Sequence, residues 1–423
     1  MAGPIPWHLL PDSAVDSEQG LTVGGLVLTE LAGEFGTPLF VYDEAQLRAR
    51  CREAVAAFGS DVAYATKAFL CTAMAKLAHD EGMKLDVATG GEIYVALRAG
   101  VPADRLVFHG NNKSEAELTM ALAEGIGRIV IDSYSEMDRI DKLVSQGASP
   151  PKVLLRITPG VKAETHEFVQ TGQDDSKFGF GVAAGEAQRA IDRASNSDAV
   201  ELVGLHAHIG SQVFRVDSFA KALEVVAGFS VPLGLPELNI GGGLGVAYVE
   251  GEEAPSISQW AAALRAVAQR CGIEARLSAE PGRSIAAAAA VTLYEIGTIK
   301  DIPGIRTYIS VNGGMSDNPR PVLYGSGYES FLPRAVMAQR PFQARVVGKH
   351  CESGDVLLAE AHLPADAAVG DILATPVTGA YGLSMGSNYN KVLRPAAVFV
   401  KDGAARLVVR RETYEDLVRL DVP

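Results

Sequence analysis

The chain has 423 residues, 48% of them apolar and 21% charged, an ordinary globular balance that excludes disorder and allows two to three domains at ~150 residues each. Its net charge of −13 and isoelectric point near 5.2 argue against a nucleic-acid partner, because such proteins present clustered basic surface. Four scattered cysteines, Cys51, Cys71, Cys271 and Cys351, show no metal-ligand spacing and fit a reducing compartment, so no metal is expected. Residues 1–13 lack a basic segment followed by an apolar one, and the most apolar stretch, 285–294, is about half the ~20 residues a membrane helix needs. A cytoplasmic protein without membrane or nucleic-acid partners is expected.

Residues 1–36, β-like from 20 onward, are expected to pack as an N-terminal segment with a C-terminal β domain. From 37 to 285 one theme repeats: a short β-type apolar run, then an amphipathic run ending near glycine. The apolar runs are 63–67, 84–89, 105–110, 128–133, 153–158, 202–208, 237–241 and 275–280. Eight strands over roughly 250 residues predict a (β/α)8 TIM barrel. Ser114-Glu115-Ala116-Glu117 reads as a helix-opening capping box, and Gly82, Gly100, Gly125, Gly147 and Gly272 stand where C-terminal caps belong. A doubly wound open sheet shares this alternation; the count of eight favours the barrel. From 286 to 423 the runs 291–299, 307–311, 342–347, 355–360, 371–376, 397–400 and 406–410 are short, β-branched and divided by Gly, Pro and Asp. They predict an all-β domain after the α/β barrel.

In a parallel barrel, chemistry gathers at the C-terminal ends of the strands. The polar residues at those ends are Lys67, Asp86, Thr89, His109, Asn111, Asn112, Asp132, Ser133, Arg156, His208, Ser211 and Glu280 with Arg283, beside the triplet Gly241-Gly242-Gly243. Three glycines after strand seven let backbone N–H groups approach an anion, and Ser211 adds a hydroxyl. A lysine in the mouth can attack an aldehyde when desolvation lowers its pKa. A carboxylate on strand eight can hold a pyridinium proton, and an imidazole on strand six can stack on a ring. Phosphate, aldehyde and pyridine nitrogen together describe pyridoxal 5'-phosphate. Taken singly, the lysine reads as a snorkelling side chain, the triplet as a turn and His208 as a core histidine. Their order on successive strand ends carries the signal.

The motifs Tyr64-Ala65-Thr66-Lys67-Ala68, His109-Gly110-Asn111-Asn112-Lys113, Ser176-Lys177-Phe178-Gly179-Phe180, His206-Ala207-His208-Ile209-Gly210-Ser211 and Glu280-Pro281-Gly282-Arg283 continue into the second domain. There stand Gly313-Gly314-Met315-Ser316-Asp317-Asn318-Pro319-Arg320, Leu323-Tyr324-Gly325, Cys351-Glu352-Ser353-Gly354-Asp355 and Gly379-Ala380-Tyr381. From about residue 35 to 400 the chain resembles the pyridoxal-phosphate enzymes of the alanine racemase-type fold, and within them the diaminopimelate decarboxylases. It departs from them at Asn312, where Asp often precedes the Gly-Gly-Met, at Thr158, where Asn is common, and at Gly382-Leu383.

The resemblance implies that Lys67 holds the cofactor covalently, His208 stacks on its ring, and Ser211, Gly241, Gly242, Gly243 and Gly282 surround its phosphate. It implies that Glu280 pairs with the pyridine nitrogen and that Tyr381 and Arg283 also contact the cofactor. Arg283, Arg320, Tyr324 and Tyr381 would bind the substrate, with the arginines and Tyr324 on the retained carboxylate. Glu352 would take the retained amino group, and Cys351 would protonate the carbanion. In these enzymes the Cys351–Glu352 segment comes from the other subunit, which implies a homodimer with shared sites. The implied reaction is decarboxylation of meso-2,6-diaminopimelate to L-lysine. The alternatives are a relative acting on ornithine or arginine, a non-enzymatic pyridoxal-phosphate barrel, or a barrel acting on sugar phosphates.

Overall fold

The computed structural model describes residues 2–161 and 175–422, which fall into two compact units. One comprises residues 50–246 and 254–284, the other residues 2–49, 247–253 and 285–422.

The first unit is the eight-stranded barrel. Its strands are β1 (Ala63–Ala65), β2 (Lys84–Val87), β3 (Leu106–Phe108), β4 (Arg128–Ile131), β5 (Lys152–Thr158), β6 (Glu201–His206), β7 (Glu237–Asn239) and β8 (Arg276–Ser278). Neighbours pair in parallel in the order of the chain, and a two-residue strand, Phe180–Gly181, adds to β5. The ring closes just beyond β8, where Ala63 N–H donates to Ala279 O at 2.9 Å and Ala65 N–H to Pro281 O at 3.2 Å. Ala63, Val107, Val130, Leu154 and Val203, one from each of five strands, form a buried cluster. Small and β-branched side chains suit so narrow an interior.

Helices follow the strands, and their ends obey local chemistry. Ser114 Oγ accepts from Glu117 N–H while the Glu117 carboxylate accepts from Ser114 N–H, completing the capping box ahead of helix Glu115–Glu124. Gly125 and Gly272 cap their helices with φ of 72° and 69°; Gly82, Gly100 and Gly147 stand one residue past the cap, also at positive φ. No helix of the described residues is long and apolar enough to cross a membrane.

The second unit is built on an eight-stranded sheet. Its path runs Val356–Leu363, Phe342–Val347, Arg306–Val311, Ala290–Ile302, Leu39–Asp43, Ala396–Lys401, Ala404–Val409, with Ile372–Pro376 also paired to Ala290–Ile302. Leu39–Asp43 corrects the barrel boundary drawn at residue 37. It lies between Ala290–Ile302 and Ala396–Lys401, antiparallel to the first and parallel to the second. All five of its residues are buried, so its pattern is that of a barrel strand. Leu21, Val23, Leu28 and Leu31 from the N-terminal segment share a core with Val291, Leu293, Phe331 and Val398.

Candidate active site

The mouth of the barrel concentrates charge in a small volume. Glu280, two residues beyond β8, is buried, and its carboxylate is held from three strands. His109, beyond β3, pairs with Oε1 at 2.7 Å; Asn239, the last residue of β7, donates its Nδ2–H to the same oxygen at 2.7 Å; His206, the last residue of β6, lies 3.1 Å from Oε2. Burial alone would push the Glu280 carboxyl upward, but His109 and His206 outweigh it and hold the group well below the usual carboxylate range. Glu280 therefore stays ionised. His206 is driven by burial down to about 4, against the pull of Glu280, so it is neutral and its Nε2–H is the donor. His109 moves the other way, because Asp86 and Glu280 together overcome its desolvation. Asp86, at the end of β2, is pushed up to about 6 by burial, with His109 opposing and Glu280 adding.

The ligand atoms of His109, His206 and Glu280 lie within 4.8 Å of one another, a spacing a cation could use. Here the three are already joined to one another, so a cation would have to displace these contacts.

His208 takes a different role from its neighbour two residues earlier. Gly242 N–H donates to its Nδ1 at 3.1 Å, which makes Nδ1 an acceptor and leaves the ring proton on Nε2. Burial, with the charges of Lys67 and Arg156, holds its pKa well below the ordinary histidine value. The imidazole is neutral.

The glycine triplet is required by sterics. A Cβ on Gly242 would lie 2.2 Å from Glu280 O, and one on Gly243 2.0 Å from Gly210 O. Gly241 and Gly243 also have φ of 69° and 111°. The structure corrects one expectation about these glycines. Two of the three N–H groups expected to face an anion work inside the protein, Gly241 on Asn239 Oδ1 at 2.8 Å and Gly242 on His208. Ser211 likewise accepts a hydrogen bond from Arg283 Nη2 at 2.8 Å, so its hydroxyl orients that guanidinium. Gly282 is packed so closely that a Cβ would meet Ala65 Cβ at 2.9 Å.

Lys67 follows β1 in a single 3-10 turn, and its charge acts on Asp86 and His208. It is exposed within this chain, so the desolvation expected of it is not supplied by the barrel walls. Amine, glycine-lined backbone, neutral imidazole and ionised carboxylate are the donor set that an aldehyde, a phosphate, a ring face and a pyridinium nitrogen would require. These residues fit pyridoxal phosphate.

A second group of expected site residues lies in the other unit. Arg320 opens the short helix Arg320–Tyr324; its guanidinium lies 4.3 Å above the Tyr248 ring, and Nη1 donates to Tyr328 Oη at 2.7 Å. Burial works against its charge, but Tyr248 and Tyr328 raise its pKa above the ordinary value, so it is a fixed cation. Tyr324 ends that helix, half-buried, and Tyr381 sits at φ 60°. Cys351 and Glu352 are exposed on a turn held at both ends. Asp355 accepts from His350 N–H at 2.9 Å and Met315 N–H at 2.7 Å and pairs with His350 Nδ1 at 2.7 Å. Asn390 Oδ1 accepts from Cys351 N–H at 2.9 Å. Asp355 thereby ties the Cys351–Glu352 turn to the turn that leads into Arg320.

His206 and Asn239 received no role from the sequence, and His109 stood only as a strand-end residue. One signal was present. Alternate positions of an extended run share a face, and His206 and His208 stand two apart in the sequence.

Residues 44–287 match the family described as "Pyridoxal-dependent decarboxylase, pyridoxal binding domain". The chain is 46% identical to a diaminopimelate decarboxylase of Mycobacterium tuberculosis over 98% of both chains, and 45% identical to that of Bacillus subtilis over 95% of both. The crystal structure of a diaminopimelate decarboxylase from M. jannaschii in co-complex with L-lysine superposes with a TM-score of 0.90 at 32% identity, covering 97% of this chain and 98% of that one. Sequence and fold agree: the chain belongs to the diaminopimelate decarboxylase family of pyridoxal-dependent decarboxylases.

Proposed function

We propose that this protein removes one carboxyl group from meso-2,6-diaminopimelate, releasing CO2 and L-lysine, and that it works in the cytoplasm as a homodimer with shared active sites. The observation that carries the reading is the ionised, three-fold-supported carboxylate of Glu280. When bound, pyridoxal phosphate supplies an electron sink for the pair left behind as CO2 departs. A carboxylate opposite the pyridine nitrogen keeps that nitrogen protonated and the sink deep; an arginine, as in the racemases of this fold, would limit it.

In this reading Lys67 supplies the amine that holds the cofactor, and His208 presents a neutral ring face to it. Ser211, Gly241, Gly242, Gly243, Gly282 and Arg283 line its phosphate side, and Tyr381 adds a contact. Arg320, with Arg283 and Tyr324, binds the carboxylate that the substrate keeps, and Glu352 binds the amino group beside it. Positive and negative contacts together suit a zwitterionic end, whereas ornithine and arginine carry cationic tails. Cys351 delivers the proton to the carbon that has lost its carboxyl group. The direct test measures CO2 release by purified protein from meso-diaminopimelate, ornithine and arginine. Diaminopimelate should be preferred, and faster release from either other amino acid would overturn the substrate assignment.

Arg320→Met should lower kcat/KM for diaminopimelate by the equivalent of about 2–5 kcal/mol, the usual effect of leaving a buried charge without its partner. Cofactor binding should be unchanged. Steady-state kinetics on the variant checks this, and an unaltered kcat/KM would remove Arg320 from the carboxylate site.

The shared site is tested by complementation. Lys67→Ala and Cys351→Ala homodimers should each be nearly inactive. Mixed by unfolding and refolding, they should recover activity in roughly a quarter of all sites, because each mixed dimer of two-fold symmetry contains one undamaged site. Were both residues drawn from the same chain, every site would keep one lesion and no activity would return.

A further inference from the structure

We infer that Asn239 is a positioning residue whose amide locks the glycine triplet and the Glu280 carboxylate into one register, so that the phosphate end and the ring-nitrogen end of the cofactor site cannot move independently. The inference rests on the pyridoxal-phosphate reading of the barrel mouth.

The geometry is a closed circuit. Asn239 Nδ2–H donates to Glu280 Oε1 at 2.7 Å, and Asn239 Oδ1 accepts from Gly241 N–H at 2.8 Å. The circuit closes through the backbone, where Glu280 N–H donates to Gly241 O at 2.8 Å. One short, buried side chain at the end of β7 thus uses its donor on the carboxylate and its acceptor on the first glycine of the triplet. An amide is the neutral side chain that offers both functions from one planar group. The circuit extends one residue further, since Gly242 N–H fixes His208.

Asn239 also shapes what Glu280 has left to offer. A carboxylate has about four lone-pair directions. Asn239 and His109 occupy Oε1 and His206 occupies one direction of Oε2. That leaves Oε2 with a direction that a ring nitrogen could use.

Two substitutions separate the halves of the circuit. Asn239→Leu keeps the volume and removes both functions. Asn239→Asp keeps the acceptor facing Gly241 but, when ionised, sets a second carboxylate against Glu280 in place of the N–H donor. Two readouts apply: the Kd for pyridoxal phosphate, by titration of cofactor-stripped enzyme, and the 15N shift of cofactor labelled at the ring nitrogen, which reports its protonation without turnover. Asn239→Leu should weaken cofactor binding by about tenfold or more, the scale of losing a buried hydrogen bond, and move the ring-nitrogen shift toward the unprotonated value. Asn239→Asp should bind as weakly as Asn239→Leu at high pH and recover affinity, relative to wild type, as pH falls and its carboxyl takes a proton, again offering a donor and an acceptor.

Thermal unfolding identifies a leucine variant that fails to fold, in which case His206→Phe, which takes the Nε2–H donor from Glu280 and puts none in its place, should move the nitrogen shift. The inference is overturned if Asn239→Leu folds with wild-type Kd and nitrogen shift, if Asn239→Asp gains no affinity over Asn239→Leu, relative to wild type, as pH falls, or if His206→Phe leaves the shift unmoved. Wild-type enzyme that takes up no pyridoxal phosphate would instead refute the cofactor reading itself.

Discussion

Replacing Lys67 with alanine is expected to abolish turnover while leaving the protein folded. Lys67 follows β1 on a single turn and is exposed, so it contributes little to the barrel core. The loss should exceed the ~10²–10⁴-fold assigned to a general acid or base, because on the proposed role it removes the covalent anchor as well. Lys67→Arg should be as inactive as Lys67→Ala: a guanidinium keeps the positive charge but stays protonated and has no amine lone pair to offer. That pair of variants distinguishes a nucleophile from a mere cation. Borohydride treatment followed by mass spectrometry should place the cofactor on the Lys67 peptide of the wild type and on no peptide of either variant. An adduct on another lysine, or turnover retained in Lys67→Ala, would disprove the assignment.

Glu280→Gln should retain the cofactor and lose about 10²–10³ in kcat, the scale of removing one preorganised electrostatic contact. The amide has nearly the carboxylate's shape, so the fold and the contact with Asn239 can persist. What disappears is the negative charge that His109 and His206 stabilise. His109, whose raised pKa depends on Asp86 and Glu280, should lose part of that shift as well. In the wild type, Glu280 remains ionised at the pH where Asp86, near 6, takes up its proton. Any acid limb in the wild-type pH–rate profile near that value therefore belongs to groups other than Glu280. CO2 release within twofold of wild type from cofactor-loaded Glu280→Gln would refute the electron-sink argument.

The barrel was legible because its punctuation is local. The strands are short, most of the helices between them end near a glycine, and Gly125 and Gly272 adopt the left-handed conformation their positions suggest. Leu39–Asp43 was illegible for the converse reason: a fully buried central strand of a mixed sheet and a barrel strand share one pattern, and only the partner distinguishes them. The site divides similarly. Lys67, His208 and Glu280 could be named because motif order places them on successive strand ends. The contacts of His109, His206 and Asn239 with Glu280 join β3, β6, β7 and β8, and no spacing along the chain encodes which strand ends meet across a barrel mouth. The glycine triplet was legible as a place where backbone N–H groups can approach an anion, but the use of two of those N–H groups within the protein depends on side chains from β6 and β7.

The insertion of Leu39–Asp43 between Ala290–Ile302 and Ala396–Lys401 also sets an order of events during synthesis. Leu39 pairs with Ala396, so a strand already made must wait for one made far later in the chain. At ~5–20 residues per second the wait lasts roughly 20–70 s. Until Ala290–Ile302 emerges the run Leu39-Phe40-Val41-Tyr42 has neither sheet neighbour, and until Ala396–Lys401 follows it has only one, while the intervening barrel has already emerged. Such long-range pairing is slow and leaves an apolar segment open to wrong partners. Joining the two termini and opening the chain near residue 285 would place this strand after its neighbours, so the permuted protein should refold faster and aggregate less.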